Sequence, residues 1–198
     1  MHSMLGIDCE GYYKGIKMKT IQLEIDGKKV QAKEGATILE VARENGIYIP
    51  TLCHHNELKP SGVCRLCMVE ISKNKRTKLV ASCVYPVEKN LIVKTNSEKI
   101  RKIRKMIVEL LWPTVPALAK EFEVEKSRFV PEHTECCLCG LCVQYCAEVG
   151  KSNAVYFKGR GINREVAVLP ELADDCAYCT KCYGLCPGGW IVIQSLTV

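Results

Sequence analysis

Eight of the fourteen cysteines lie in two runs of one spacing. Cys136, Cys139, Cys142 and Cys146 read C-x2-C-x2-C-x3-C, and Cys176, Cys179, Cys182 and Cys186 repeat it, with Pro187 directly after. Thiolates so spaced suit two [4Fe–4S] clusters. Three cysteines on one short loop can each reach a different iron of one cubane. The fourth, at the start of a following helix, points away and serves the neighbour. Crossed ligation is therefore expected: Cys136, Cys139, Cys142 and Cys186 about the first cluster, and Cys146, Cys176, Cys179 and Cys182 about the second. Zinc is the bland alternative. It takes four ligands, usually as two Cys-x2-Cys pairs, and a twice-repeated run of four suits it poorly. Cys137 is an extra thiol inside the first run, read as a non-ligand because its neighbours already satisfy the motif. Pro187 ends the second run and can open a following turn as a first helical residue.

A third set precedes these. Cys53, Cys64, Cys67 and Cys83 read C-x10-C-x2-C-x15-C. Plant-type [2Fe–2S] proteins use C-x4-C-x2-C and a distant fourth cysteine. The first gap is longer here, but the plan is the same: a loop with three ligands and a strand end with the fourth. Gly62 would let backbone amides approach the cluster sulfurs. His54 and His55 follow the first ligand. A Rieske-type centre would need two histidines in place of cysteines, and four cysteines are already present, so both read as loop residues.

These sets need elements to hold them. Residues 20–33 alternate, with Ile21, Leu23 and Ile25 on one face and Asp26–Gly27 as a hairpin turn. Thr37 with Glu40 three residues on is a capping box for a short helix that Asn45–Gly46 stops. Strands are expected at 68–71, 79–83 and 91–93. The clearest helix is 97–112. Ile100, Ile103, Met106, Ile107, Leu110 and Leu111 repeat at helical spacing, and Lys99, Arg101, Lys102, Arg104 and Lys105 fill what reads as a solvated basic face. Pro113 and Pro116 end it, and 117–126 reads as a second short helix. Residues 154–157 and 166–169 read as a hairpin inserted between the two cysteine runs, and 190–193 as a last strand. Trp190 reads as a packing residue.

The chain has 198 residues, enough for one large or two small domains. The formal net charge of +6 counts every cysteine as a neutral thiol. Three oxidised clusters of about −2 each would bring roughly −6 and leave the protein near neutrality, so the charge gives little support to nucleic-acid binding. No run of apolar residues is long enough to span a membrane. Residues 1–17, with a lone Cys9, carry no apolar signal core and read as a loose extension. Cysteines in such a chain read as metal ligands in a reducing cytoplasm. No P-loop and no G-x-G-x-x-G fingerprint occurs, which leaves no catalytic site of the chain's own.

The motifs IPTLC, GVCRLC and MVEI within 47–71 resemble the [2Fe–2S] domain that opens the large iron–sulfur subunit of respiratory complex I. The same domain opens the diaphorase small subunit of NAD-reducing [NiFe] hydrogenases and the input end of multimeric [FeFe] hydrogenases. CCLCGLCVQYC and FKGRG resemble the double-ferredoxin domain of that family. The resemblance runs from about residue 18 to the end. It departs from the family where a His-plus-three-Cys [4Fe–4S] site usually stands, because no cysteine lies between Cys83 and Cys136. A succinate-dehydrogenase-type subunit also pairs such domains, but its first ligand gap is shorter.

The resemblance implies an α+β chain: an extension at 1–17, a β-grasp [2Fe–2S] domain at 18–96, a helical linker at 97–130 and a double [4Fe–4S] ferredoxin domain at 131–198. It implies an electron-transfer subunit between an FMN- and NAD(P)-binding flavoprotein and a hydrogenase. The alternatives are a formate dehydrogenase or another bifurcating reductase as partner, or a free-standing carrier or redox sensor.

Overall fold

The computed structural model describes residues 20–74, 76–129 and 136–189. Strands β1 (Thr20–Ile25) and β2 (Lys28–Lys33) form an antiparallel hairpin in which Thr20 faces Lys33. Asp26 and Gly27 both adopt positive φ, 48° and 82°, the backbone that matches a two-residue turn to twisted strands. Leu23, Ile25, Val30 and Ala32 are buried, as the alternation requires.

Helix α1 (Ile38–Glu44) carries the complete capping box: Thr37 accepts from the Glu40 amide, and the Glu40 carboxylate accepts from the Thr37 amide at 2.7 Å. Ile38, Leu39 and Val41 are fully buried. Two first-turn amides, which have no partner inside a helix, are satisfied elsewhere: Ile38 N–H donates to the Tyr85 carbonyl and Leu39 N–H to that of Ser82, both at 3.0 Å. The start of α1 thus clamps the segment bearing Cys83.

Strands β3 (Met68–Lys73), β4 (Arg76–Ala81) and β5 (Ile92–Lys94) complete a sheet of order β2-β1-β5-β3-β4. β1 and β5 run parallel, and the remaining pairs are antiparallel. A mixed sheet under one helix is consistent with the β-grasp expectation. β4 begins at Arg76 and ends at Ala81, so Cys83 lies just past the strand rather than at its end. The full β3–β4 register, Met68 to Ala81 through Lys73 to Arg76, pulls the polar residues 76–78 into the hairpin.

Helix α2 (Glu98–Leu111) is capped by Ser97, whose hydroxyl also donates to Glu70 of β3 at 3.1 Å. The expected face is corrected here. Ile100, Arg104 and Val108 form the buried stripe, whereas Met106 and Leu110 are 44% and 55% exposed. The stripe is rotated because Arg104 has partners inside. Its Nε donates to the Leu66 carbonyl at 3.1 Å and an Nη to that of Met68 at 2.8 Å. Helix α3 (Pro116–Glu121) is shorter than expected, since Glu123 turns to φ 53° and ends it. Val115, Ala119 and Val124 pack with Leu52, Leu66 and Val108. Apolar packing therefore fills the segment between Cys83 and the first repeated run.

The last region holds α4 (Leu141–Glu148), the hairpin β6 (Val155–Lys158) and β7 (Glu165–Val168), and α5 (Ala173–Cys179). Residues 130–135 and 190–198 lie outside the described residues, as does the expected strand at 190–193. The region docks on the loop of the first that carries His55 and Lys59. Gln144 donates to the Lys59 carbonyl at 2.6 Å, the Lys59 amide donates to Glu148 at 3.3 Å, and the Tyr145 ring stands edge-on to His55 at 5.8 Å. No helix among the described residues is long and apolar enough to cross a membrane.

Candidate metal centres

The first set comes together as two pairs. The Cys67 and Cys83 sulfurs are 3.3 Å apart. The Cys53 sulfur accepts the Cys64 amide at 3.4 Å, and their thiols also share a hydrogen bond. Cys53, Cys67 and Cys83 are buried, and Cys64 half-buried. Hydrogen bonding from the Cys64 thiol draws the Cys53 pKa down to about 5 against its burial, while Cys64 is pushed up by the same bond. The Cys83 thiol draws Cys67 down to about 6 and is itself pushed up. In each pair the shared hydrogen bond favours a thiolate on one sulfur. Metal ligation requires thiolates.

Pairing fits a binuclear iron–sulfur cluster, whose two irons each need two protein thiolates. A zinc ion instead needs its four ligands gathered about one point. The loop is built to face a sulfur-rich group. Gly62 has φ +68°, and a Cβ there would meet the Val84 side chain at 3.2 Å. Arg65, inside the Cys-x2-Cys, also takes positive φ, 59°. This curl turns amides inward: those of Val63 and Leu66 act on the sulfurs of Cys53 and Cys64. Inward amides stabilise negative sulfur. His54 and His55 face other partners. Arg43 sits 3.2 Å from His54, and His55 meets Tyr145.

The two repeated runs are carried differently, which corrects the expectation of like loops. In the first, Leu138 takes φ 51° and donates its amide to the Cys136 sulfur at 3.4 Å. Gly140, at φ +79°, then opens α4, whose first turn carries Cys142 and second turn Cys146. Cys146 is therefore inside the helix rather than at its start. In the second, Cys176 and Cys179 stand on α5 itself, one turn apart. Asp174 and Asp175 in its first turn favour that helix. Thr180, in the left-handed region, ends α5, and Cys182 and Cys186 follow on a single tight turn. Pro187 opens no helix among the described residues.

Thiols of the two runs act on one another across the runs. Burial raises Cys136, and charge on Cys139 and Cys186 adds to it. Burial raises Cys142 too, with Cys139, Cys182, Cys186 and Cys136 acting on it. Burial lifts Cys182 to about 11, with Cys176, Cys146 and Cys179 in reach. Cys176 likewise responds to burial, then to Cys146 and Cys179. One cavity is lined by Cys146, Cys176, Cys179 and Cys182 together. Sequence reasoning missed the bond between the Cys137 and Cys139 thiols, which lowers Cys137 and raises Cys139. The sites are neighbours as well: Cys139 feels Cys53, and Cys142 feels Cys182.

Residues 18–98 match the family described as a 2Fe-2S iron-sulfur cluster binding domain. The 78 kDa mitochondrial subunit of NADH-ubiquinone oxidoreductase from Candida albicans is 29% identical over 84% of this chain, which spans 22% of that protein. The gamma subunit of the NAD-reducing hydrogenase HoxS from Cupriavidus necator is 28% identical over 87% of each. The solved structure of an NAD+-reducing [NiFe]-hydrogenase in its H2-reduced state contains a chain 30% identical to this one. It superposes with a TM-score of 0.66 and covers 75% of this chain and 74% of that one. With its paired thiols in the matched region, the chain belongs to the iron–sulfur subunit family shared by NADH-ubiquinone oxidoreductase and the NAD(P)-reducing hydrogenases.

Proposed function

We propose that this chain is a cytoplasmic electron-transfer subunit holding one [2Fe–2S] and two [4Fe–4S] clusters between an FMN- and NAD(P)-binding flavoprotein and a catalytic hydrogenase. Cys53, Cys64, Cys67 and Cys83 would hold the first. Cys136, Cys139, Cys142 and Cys186 would hold the second, and Cys146, Cys176, Cys179 and Cys182 the third. Iron–sulfur clusters at these thiolates would supply one-electron transfer at potentials set by hydrogen bonds, charge and burial.

The observation that carries the reading is the order of the thiol groups in space. Cys64 and Cys139 border one apolar cluster, and Cys142 and Cys182 share another. The residues of the chain keep this line dry and fixed. Leu52, Leu66 and Val108 pack beside Cys64 and Cys139 at the first junction. Val155, Val166 and Val168 pack against Cys142 and Cys182 at the second. At the far end Cys179 is exposed and Tyr178 is 89% exposed, which leaves a thiol of the last group at the surface. Residues 18–96, 97–130 and 131–198 serve as first site, spacer and paired sites.

The test is metal and flavin analysis of the tagged protein purified without oxygen from its native host. Iron well above ten per chain, with FMN and nickel co-purifying, is the expected result. About ten iron per chain without flavin or nickel would establish a free carrier instead. FMN with molybdenum or tungsten would replace the hydrogenase by a formate-type partner.

A further inference from the structure

Arg104 is 4% exposed, in the middle of α2. Among the described residues no carboxylate lies within ion-pair distance of it. Its guanidinium instead donates to the carbonyls of Leu66 and Met68, the residues on either side of Cys67. A buried cation without a paired anion is costly to desolvate. Two carbonyls need only neutral donors. The fixed charge is therefore the feature that calls for a use. Burial lowers the Arg104 pKa from its ordinary value, and charge on Cys67, then Glu121, Tyr48 and Asp26, acts in the opposite direction. Of these, Cys67 is a member of the candidate centre, and Glu121 is engaged by the Tyr48 hydroxyl at 3.1 Å.

We propose that Arg104 is a positioning residue that holds the Leu66–Met68 backbone and sets a permanent positive charge behind Cys67, raising the midpoint potential of the [2Fe–2S] site. This rests on the ligand assignment above. One-electron reduction adds one negative charge there, with no bond broken and no proton required. A fixed cation nearby favours the reduced form by Coulomb attraction, strongly so in a dry surrounding. A neutral donor at the same place would lose the attraction.

The experiment is an anaerobic redox titration of the full-length holoprotein with dithionite, followed by electron paramagnetic resonance of the [2Fe–2S] signal. Arg104→Gln is expected to lower the reduced-to-oxidised ratio at fixed potential about tenfold, which is about 59 mV for one electron. Arg104→Lys, which keeps the charge, should restore most of the shift. Lys99→Gln, the same charge change on the exposed face of α2, should leave the potential unmoved. An unshifted potential in Arg104→Gln, or an equal shift in Lys99→Gln, overturns the proposal. So does loss of the [2Fe–2S] signal in Arg104→Gln with both cubane signals intact, because the residue would then only hold the loop. Absence of a [2Fe–2S] signal from the wild-type holoprotein would instead sink the ligand assignment beneath it.

Discussion

The two cysteine-bearing regions hold their sites by opposite strategies. In residues 20–94 the site is an appendage to an independent core. Nineteen buried residues, among them Ile25, Leu39, Val69, Leu91 and Val93, form one cluster under the sheet, and only Cys67 and Cys83 of the four candidate ligands belong to it. In residues 136–189 candidate ligands are part of the core itself. Of eight buried residues three are Cys142, Cys176 and Cys182, and Cys136, Cys146 and Cys186 pack around them. The first region is expected to fold and then bind. The second gathers thiols among which burial raises Cys136, Cys142, Cys176 and Cys182, an arrangement that becomes favourable once metal takes the place of protons.

Removing iron should expose this difference most sharply. Chelation under reducing conditions is expected to abolish amide-exchange protection across 141–179 while 20–94 keeps most of its own. Equal loss in both regions would break the comparison. Substitution within the second region should be nearly as selective. Cys146→Ser is expected to remove the cluster held mainly by Cys176, Cys179 and Cys182, read by electron paramagnetic resonance. Loss of the neighbour held by Cys136, Cys139 and Cys142 in its place would exclude crossed ligation.

A smaller effect belongs to the first region alone. Leu39 is fully buried under the sheet, and Leu39→Ala should cost about 2–5 kcal/mol, measured by denaturant unfolding of the metal-free chain. Because that core is separate from the second, exchange in 141–179 should be unaffected. Thr37→Ala removes a cap whose hydroxyl accepts the Glu40 amide at 3.2 Å. It should cost about 1 kcal/mol in the same assay. The cap also orients the α1 amides that grip Ser82 and Tyr85, so this variant should loosen Cys83 slightly, visible as faster exchange at 82–85.

How far the sequence was legible follows the same division. Asp26–Gly27 and the Thr37–Glu40 box are local signals in which neighbouring residues alone determine backbone geometry, and both form as read. The cysteine sets stand out because ligation would fix such a spacing. What was not legible depends on contacts distant in the chain. Arg104 looks like one more charge in a basic face, and only the carbonyls of Leu66 and Met68, some forty residues earlier, draw it inside. That in turn leaves Met106 and Leu110 exposed. The repeated spacing of the two runs also hid a difference: Gly140 opens a helix after Cys139, whereas Asp174 and Asp175 start one before Cys176. Identical spacing therefore sits on unlike backbones. The docking of Lys59 against Gln144 and Glu148 has no local signature at all.

That docking supplies the finest test, because it is where the two strategies meet. The Glu148 carboxylate accepts from the Gln144 amide at 2.9 Å and from the Lys59 backbone at 3.3 Å. These bonds, with Lys59 and Lys151 charge behind them, hold its pKa below the ordinary carboxylate value. A depressed folded-state pKa contributes stability that is present above the unfolded pKa and lost as pH falls through the folded one. The contact is therefore expected to be intact at neutral pH and to weaken in the acid range below the usual glutamate pKa. Glu148→Gln should imitate the acid state at pH 7. The expected readout is a modest rise in exchange at the amide of Lys59, with no change in the sheet or in the cluster signals. The variant should also remove most of the pH dependence of that amide below about pH 4.3. If the wild-type pH dependence at Lys59 survives in Glu148→Gln, another group governs the junction.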